Sequence, residues 1–202
     1  MRSAFIVAAG AALAVTAGLV AVAGAAGSGR PVSAGPAETR PAPGVPSGGR
    51  AAFGPTDVAW LQLVTPMTDQ AVRLAALART RAADPGLRSL AGSIATAHGA
   101  ELSRLRACEQ RAGVGGTDVH AGHDMPGMTT AAEYAAAEQA AGSAFDRIVE
   151  DRLREYLEQS VKLAGSEDAN GTEPGVRQLA ADLARSRSAE LSQLDGISAR
   201  QG

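Results

Sequence analysis

A shift of 89 residues superimposes one half of the chain on the other, and no other feature constrains the fold as strongly. Asp69-Gln70-Ala71-Val72-Arg73-Leu74-Ala75 returns as Glu158-Gln159-Ser160-Val161-Lys162-Leu163-Ala164. Asp84-Pro85-Gly86-Leu87-Arg88-Ser89-Leu90-Ala91 returns as Glu173-Pro174-Gly175-Val176-Arg177-Gln178-Leu179-Ala180, and Ala100-Glu101-Leu102-Ser103 as Ala189-Glu190-Leu191-Ser192. Three blocks in one ungapped register predict two copies of a single helix-turn-helix unit.

The apolar spacing inside each copy is helical. Trp60, Val64, Met67, Ala71, Leu74 and Ala78 alternate steps of four and three, the signature of an inward stripe. Thr56 is a cap candidate with Asp57 in the first turn, and Pro66 removes one backbone bond and should kink this first helix near Gln62. Asp84-Pro85 opens a second helix whose stripe is Leu87, Leu90, Ile94, Leu105 and Cys108, ending at Gly113 to Gly116. The second copy follows the same plan after a short helix from about Thr130. Phe145, Ile148, Val149, Leu153, Tyr156 and Leu163 mark its first helix, and Glu173-Pro174 opens its last, with Val176, Leu179, Leu183, Leu191 and Leu194 inward. Asn170-Gly171 reads as the turn between them, which also accounts for the glycosylation-type triplet Asn170-Gly171-Thr172. Neither hairpin can bury its stripe alone. Two together predict an all-α four-helix bundle over 53–199, with repeat one at 56–111, a connecting loop at 112–129 and repeat two at 142–197.

The N-terminus reads differently. After Met1-Arg2-Ser3 the chain carries no charge from Ala4 to Gly27, so residues 1–27 form an export signal or, left uncut, a membrane anchor. Residues 28–52, rich in Pro, Gly, Ala and Ser, hold too little large apolar content to offset ordering and read as a flexible tether. Both features place the bundle outside the cytoplasm, secreted or held at the cell envelope.

From Phe53 onward 15 Lys or Arg face 20 Asp or Glu, a balance that excludes nucleic acid and anionic lipid as partners of the folded part. Its only attachment to a membrane is therefore the N-terminal segment, if uncleaved. A single cysteine, Cys108, forbids an internal disulfide and reads as a small buried apolar residue, with thiolate ligation the lesser alternative. No Ser-His-Asp grouping, phosphate loop or zinc-protease helix motif occurs, so the chain is read as a binding protein and not as an enzyme.

Chemistry-bearing residues concentrate in the loop joining the repeats, His120-Ala121-Gly122-His123-Asp124-Met125-Pro126-Gly127-Met128. Imidazole nitrogens accept Cu(II) and thioether sulfur favours Cu(I), so His120, His123, Met125 and Met128 form a candidate copper site, completed if need be by a second copy of the chain. The alternative is a plain connector, its methionines against the bundle and its histidines in water. His98 and Glu101 share a helix face, but the order is the reverse of the Glu-x-x-His of di-iron bundles, and Arg187 stands 89 residues after His98. A cation there repels a metal, so His98 with Glu101 and Arg187 with Glu190 are expected as two polar pairs near the interior.

The run Pro66-Met67-Thr68-Asp69-Gln70-Ala71-Val72, the stretch Ile94 to Leu105, the His/Met loop and Phe145-Asp146 together resemble the family of unknown function numbered 305, a ferritin-like, largely exported helical family that includes copper-binding proteins. The resemblance carries over to Asp57, Asp146, Glu101, Glu190, His123, Met125, Pro126, Gly127 and Met128. It fails where the family places adjacent histidine pairs, because this chain has Met67-Thr68 and Tyr156-Leu157 there, and where the family has a glutamine it has His98 and Arg187. Metal binding through paired histidines is thus not implied. A Met67–Tyr156 sulfur–aromatic contact is expected in its place. Two functions follow: an exported protein that sequesters or buffers copper through the loop, or a non-metal envelope scaffold that has lost its metal site.

Overall fold

The computed structural model describes residues 53–116, 119–121 and 123–200, so the expected signal and tether lie outside the described residues. Five helices follow one another: α1 Pro55–Arg81, α2 Pro85–Ala112, α3 Ala131–Gln139, α4 Gly142–Asn170 and α5 Pro174–Ser198. None of these is long and apolar enough to cross a membrane.

Local signals set the helix starts. Asp84 accepts a hydrogen bond from Leu87 N–H at 2.8 Å, and Glu173, 89 positions later, accepts one from Val176 N–H at 2.5 Å, each ahead of a proline in the first turn. Thr130 caps α3 in a reciprocal box with Glu133. Gly113 closes α2 in the left-handed conformation that a side chain resists. Pro66 lies inside α1, which runs on unbroken to Arg81.

The four long helices form a ring. α1 packs on α2, α4 on α5, α1 on α4 and α2 on α5, while the short α3 lies against α4. The expected stripes face inward: Trp60, Val64, Met67, Ala71, Leu74 and Ala78 of α1 are all buried, as are Leu87, Leu90, Ile94, Leu105 and Cys108 of α2. Leu191 is half-buried at the edge of α5.

The interior divides into two apolar clusters. One holds Met67, Leu74, Leu87, Ile94, Phe145, Leu153, Tyr156 and Leu194; the other holds Trp60, Leu61, Val64, Leu105, Val176 and Leu183. Each fully buried leucine or phenylalanine contributes roughly 1.5–3 kcal/mol. Along α2 and α5 the residues between the clusters are polar: His98 and Glu101 on one, Arg187 and Glu190 on the other. This layer crosses the bundle at mid-length.

A second device ties the ends of the helices together. Asp57 at the start of α1 accepts hydrogen bonds from Thr172 N–H at 3.0 Å, Thr172 Oγ1 at 2.7 Å and Glu173 N–H at 3.1 Å, holding the segment that leads into α5. Asp146, 89 positions on at the start of α4, accepts Ala83 N–H at 2.9 Å and Asp84 N–H at 2.8 Å, holding the segment that leads into α2. Each hairpin thus secures the turn of the other. The triplet threonine, Thr172, is engaged in this contact.

Candidate functional site

The mid-bundle layer is closed by exchanged partners. His98 Nε2 lies 2.9 Å from Glu190 Oε1 and 3.0 Å from Oε2, and Arg187 makes an ion pair with Glu101 at 2.7 Å. The expected pairing of His98 with Glu101 and Arg187 with Glu190 is therefore wrong. Residues three apart share a helix face, but both side chains extend toward the opposing helix, and α2 faces α5 across the ring. Tyr156 joins the two pairs, since its hydroxyl accepts from Arg187 at 2.9 Å and lies 3.3 Å from His98 Nδ1 and 3.4 Å from Thr68 Oγ1.

Electrostatics fix the protonation of this layer. Burial lowers the pKa of His98 and outweighs the Glu190 hydrogen bond that would raise it, so the ring is neutral. A neutral ring facing a carboxylate through Nε2 donates from Nε2, which leaves Nδ1 to accept. Burial likewise pushes the Tyr156 phenol up, keeping its proton available for donation. Arg187 is a buried cation at the centre of this layer, and its charge repels a metal ion there. Tyr156 and Met67 belong to one apolar cluster, but the hydroxyl shows that a polar network, and not an apolar contact alone, stands where the resemblance would place histidines. Met67 also reaches the connecting loop: a Cβ on Gly127 would come within 2.7 Å of its terminal methyl.

That loop has two parts. The Met125–Thr129 half is docked. Met128 is buried, Met125 packs on the larger cluster, Gly127 N–H donates to Glu155 Oε1 at 3.3 Å, and Thr129 N–H donates to Gln70 Oε1 at 2.9 Å. Gly127 has φ of 82° and is pressed on Gln159 and Met67, so only glycine fits. The other half turns outward. His123 N–H donates to His120 O at 3.0 Å, and the two imidazoles stand edge to face with centroids 6.3 Å apart. His123 is exposed and borders a cleft of about 540 Å³, which Met128 also lines. Among the described residues no three His, Cys, Asp or Glu side chains converge as a ready cation site. The structure thus brings His120 and His123 together, and draws both methionines against the bundle beside them.

No motif or helix stripe in the sequence marks Glu167. It is fully buried on α4 beside Asp57, and its carboxyl oxygens meet no hydrogen-bond donor from the other described groups. Burial and the charge of the neighbouring Asp57 push its pKa up to about 8, so it is a neutral acid at neutral pH. Burial alone would raise Asp57 too, but hydrogen bonds from Thr172, Glu173 and Gly54 hold it far below the usual carboxylate range. The 89-residue shift held the signal: Glu167 matches Ala78, an inward stripe position.

The model of a family described as a domain of unknown function, DUF305, matches residues 57–198. The chain belongs to the DUF305 family. Its fold is that of solved DUF305 structures. A DUF305 protein from Streptomyces coelicolor is 21% identical, with a TM-score of 0.64 over 73% of this chain and 94% of that one. A DUF305 fragment from Deinococcus radiodurans is 22% identical, with a TM-score of 0.64 over 73% of this chain and 98% of that one. CopM in its Cu(II)-bound form is 23% identical, with a TM-score of 0.58 over 72% of this chain and 97% of that one. At these identities the likeness establishes the helical fold. No curated protein matches the chain.

Proposed function

We propose that this DUF305 protein is an extracytoplasmic copper-binding protein that sequesters or buffers the ion through the loop between α2 and α3, without catalysing a reaction. The observation that carries the reading is the pairing of His120 and His123 on one turn, rings 6.3 Å apart, above the docked Met125 and Met128. Two nitrogens serve Cu(II), and the adjacent thioethers serve Cu(I) once the docked half of the loop loosens. In the mid-bundle layer the buried Arg187 cation opposes a metal ion, which favours the loop. Solved CopM structures hold Cu(II), Cu(I) and silver on the same fold, which supports a soft-metal cargo. The uncharged N-terminal run, and the Streptomyces coelicolor relative inferred to be secreted, support export.

The test is a copper titration of the protein beside a His120→Ala/His123→Ala variant, under oxidising and under reducing conditions. Binding by the unaltered protein that the variant loses supports the loop site. Absence of binding by the unaltered protein rejects it and leaves the metal-free scaffold.

A further inference from the structure

Among the described residues, methionine is used in one place. Met67 and Met128 belong to the larger apolar cluster and Met125 packs on it, whereas the other cluster holds no methionine. These three are all the methionines of the chain except Met1. Leucine fills much of the same cluster, so packing alone does not call for thioethers at three positions that meet.

The loop gathers them round one point. Met128 N–H donates to Met125 O at 3.0 Å, and the residues between are Pro126 and Gly127, the latter with φ of 82°. This is a type II turn, whose end residues stand within ~7 Å of each other. The middle of the turn lies on α1, where a Cβ on Gly127 would come 2.7 Å from the terminal methyl of Met67. The Met67 sulfur is one bond from that methyl. Each end of the turn therefore carries a thioether, and a third reaches its middle from a long helix. Met128 also lines the cleft of about 540 Å³, so the group is approached from solvent without parting the four long helices.

Thioether sulfur is soft and uncharged, and it selects Cu(I) over Cu(II). A monovalent ion also feels half the repulsion from Arg187 that a dication would at the same distance. On the copper reading, on which this inference rests, Met125 and Met128 supply two sulfurs from the loop. We propose that Met67 is the third ligand, so that Met67, Met125 and Met128 form a three-thioether site for a soft monovalent cation, Cu(I) or Ag(I), distinct from the histidine pair that takes Cu(II). Loosening of the docked loop admits the ion, and its return onto Met67 holds it.

The test compares the full chain with Met67→Leu, a swap that conserves volume and should cost less than ~1.5 kcal/mol of stability. Cu(I) affinity is measured anaerobically in competition with a chromophoric Cu(I) chelator, and Cu(II) affinity separately in air. Losing a direct ligand should weaken Cu(I) binding by no less than the ~10–100-fold that losing a supporting partner costs, and leave Cu(II) binding unchanged. In protein labelled with ¹³C at the methionine methyls, one equivalent of Ag(I) should move the Met67, Met125 and Met128 resonances together. Cu(I) affinity unchanged in Met67→Leu, equal losses for Cu(I) and Cu(II), or a Met67 resonance that Ag(I) leaves in place overturns this inference while the loop remains a copper site. Failure of the unaltered protein to bind copper in either oxidation state overturns both.

Discussion

His98 Nε2 sits 2.9 Å from Glu190, a residue on the other hairpin, and not on its own helix neighbour Glu101. Arg187 answers with Glu101 at 2.7 Å. The two halves of the bundle are therefore joined at mid-length by crossed pairs, and Tyr156 links one pair to the other. Breaking such a buried pair leaves an uncompensated charge, so Arg187→Ala should destabilise the bundle by about 3–5 kcal/mol. Arg187→Met combined with Glu101→Leu should recover most of that loss. Chemical denaturation of the three proteins checks both expectations.

The docked half of the loop depends on Gly127. A methyl group there would meet Gln159 Cβ and the Met67 methyl at 2.7 Å, and the residue holds φ of 82°. Gly127→Ala should cost ~1–3 kcal/mol and release the segment from the bundle. Amide exchange at Gly127 and Thr129, whose N–H groups bind Glu155 and Gln70, should accelerate while the helices stay protected.

Glu167 gives the protein an unusual dependence on pH. Its pKa rises from 4.5 to about 8 in the folded state, so the folded chain keeps a proton that the unfolded chain releases. The stability it confers is full below pH 4.5 and falls as pH climbs to about 8, by up to ~1.4 kcal/mol per unit. Glu167→Gln, which fills the same space and cannot ionise, should flatten that decline. His98 acts in the opposite sense, because a depressed histidine pKa stabilises above the ordinary value of 6.5 and withdraws that support as pH falls below it. Denaturation midpoints across pH, for the unaltered protein and each variant, separate the two contributions.

Asp57 and Asp146 should matter comparably, since each secures the turn of the opposite hairpin. Asp146→Ala exposes two backbone donors and should cost about 1–2 kcal/mol. Asp57→Ala should cost more, because Asp57 also engages the Thr172 hydroxyl and Glu167. Thermal unfolding of the two variants side by side checks the order.

Much of this architecture is legible before any coordinates. The stripe from Trp60 to Ala78 and the cap–proline pairs at Asp84-Pro85 and Glu173-Pro174 read directly, because helix periodicity and capping are local properties. The partner exchange is not local. Spacing puts His98 and Glu101 on one face but does not say which helix lies opposite, and that neighbour decides the contact. The site is legible only in part for a similar reason. The His/Met loop stands out by composition, yet the outward turn of His120 and His123 and the docking of Met128 depend on Gln70, Glu155 and Gln159, which belong to distant helices. Glu167 was readable in principle, as an acid at the place where the other repeat puts Ala78.

On the proposed function, copper should bind the loop and not the interior of the bundle. Electron paramagnetic resonance of the protein loaded with one equivalent of Cu(II) tests it directly, with His98→Gln and His120→Ala/His123→Ala as comparisons. The expected spectrum shows nitrogen hyperfine structure that His98→Gln leaves unchanged and the loop variant abolishes. A spectrum that survives in the loop variant and is lost in His98→Gln would contradict it.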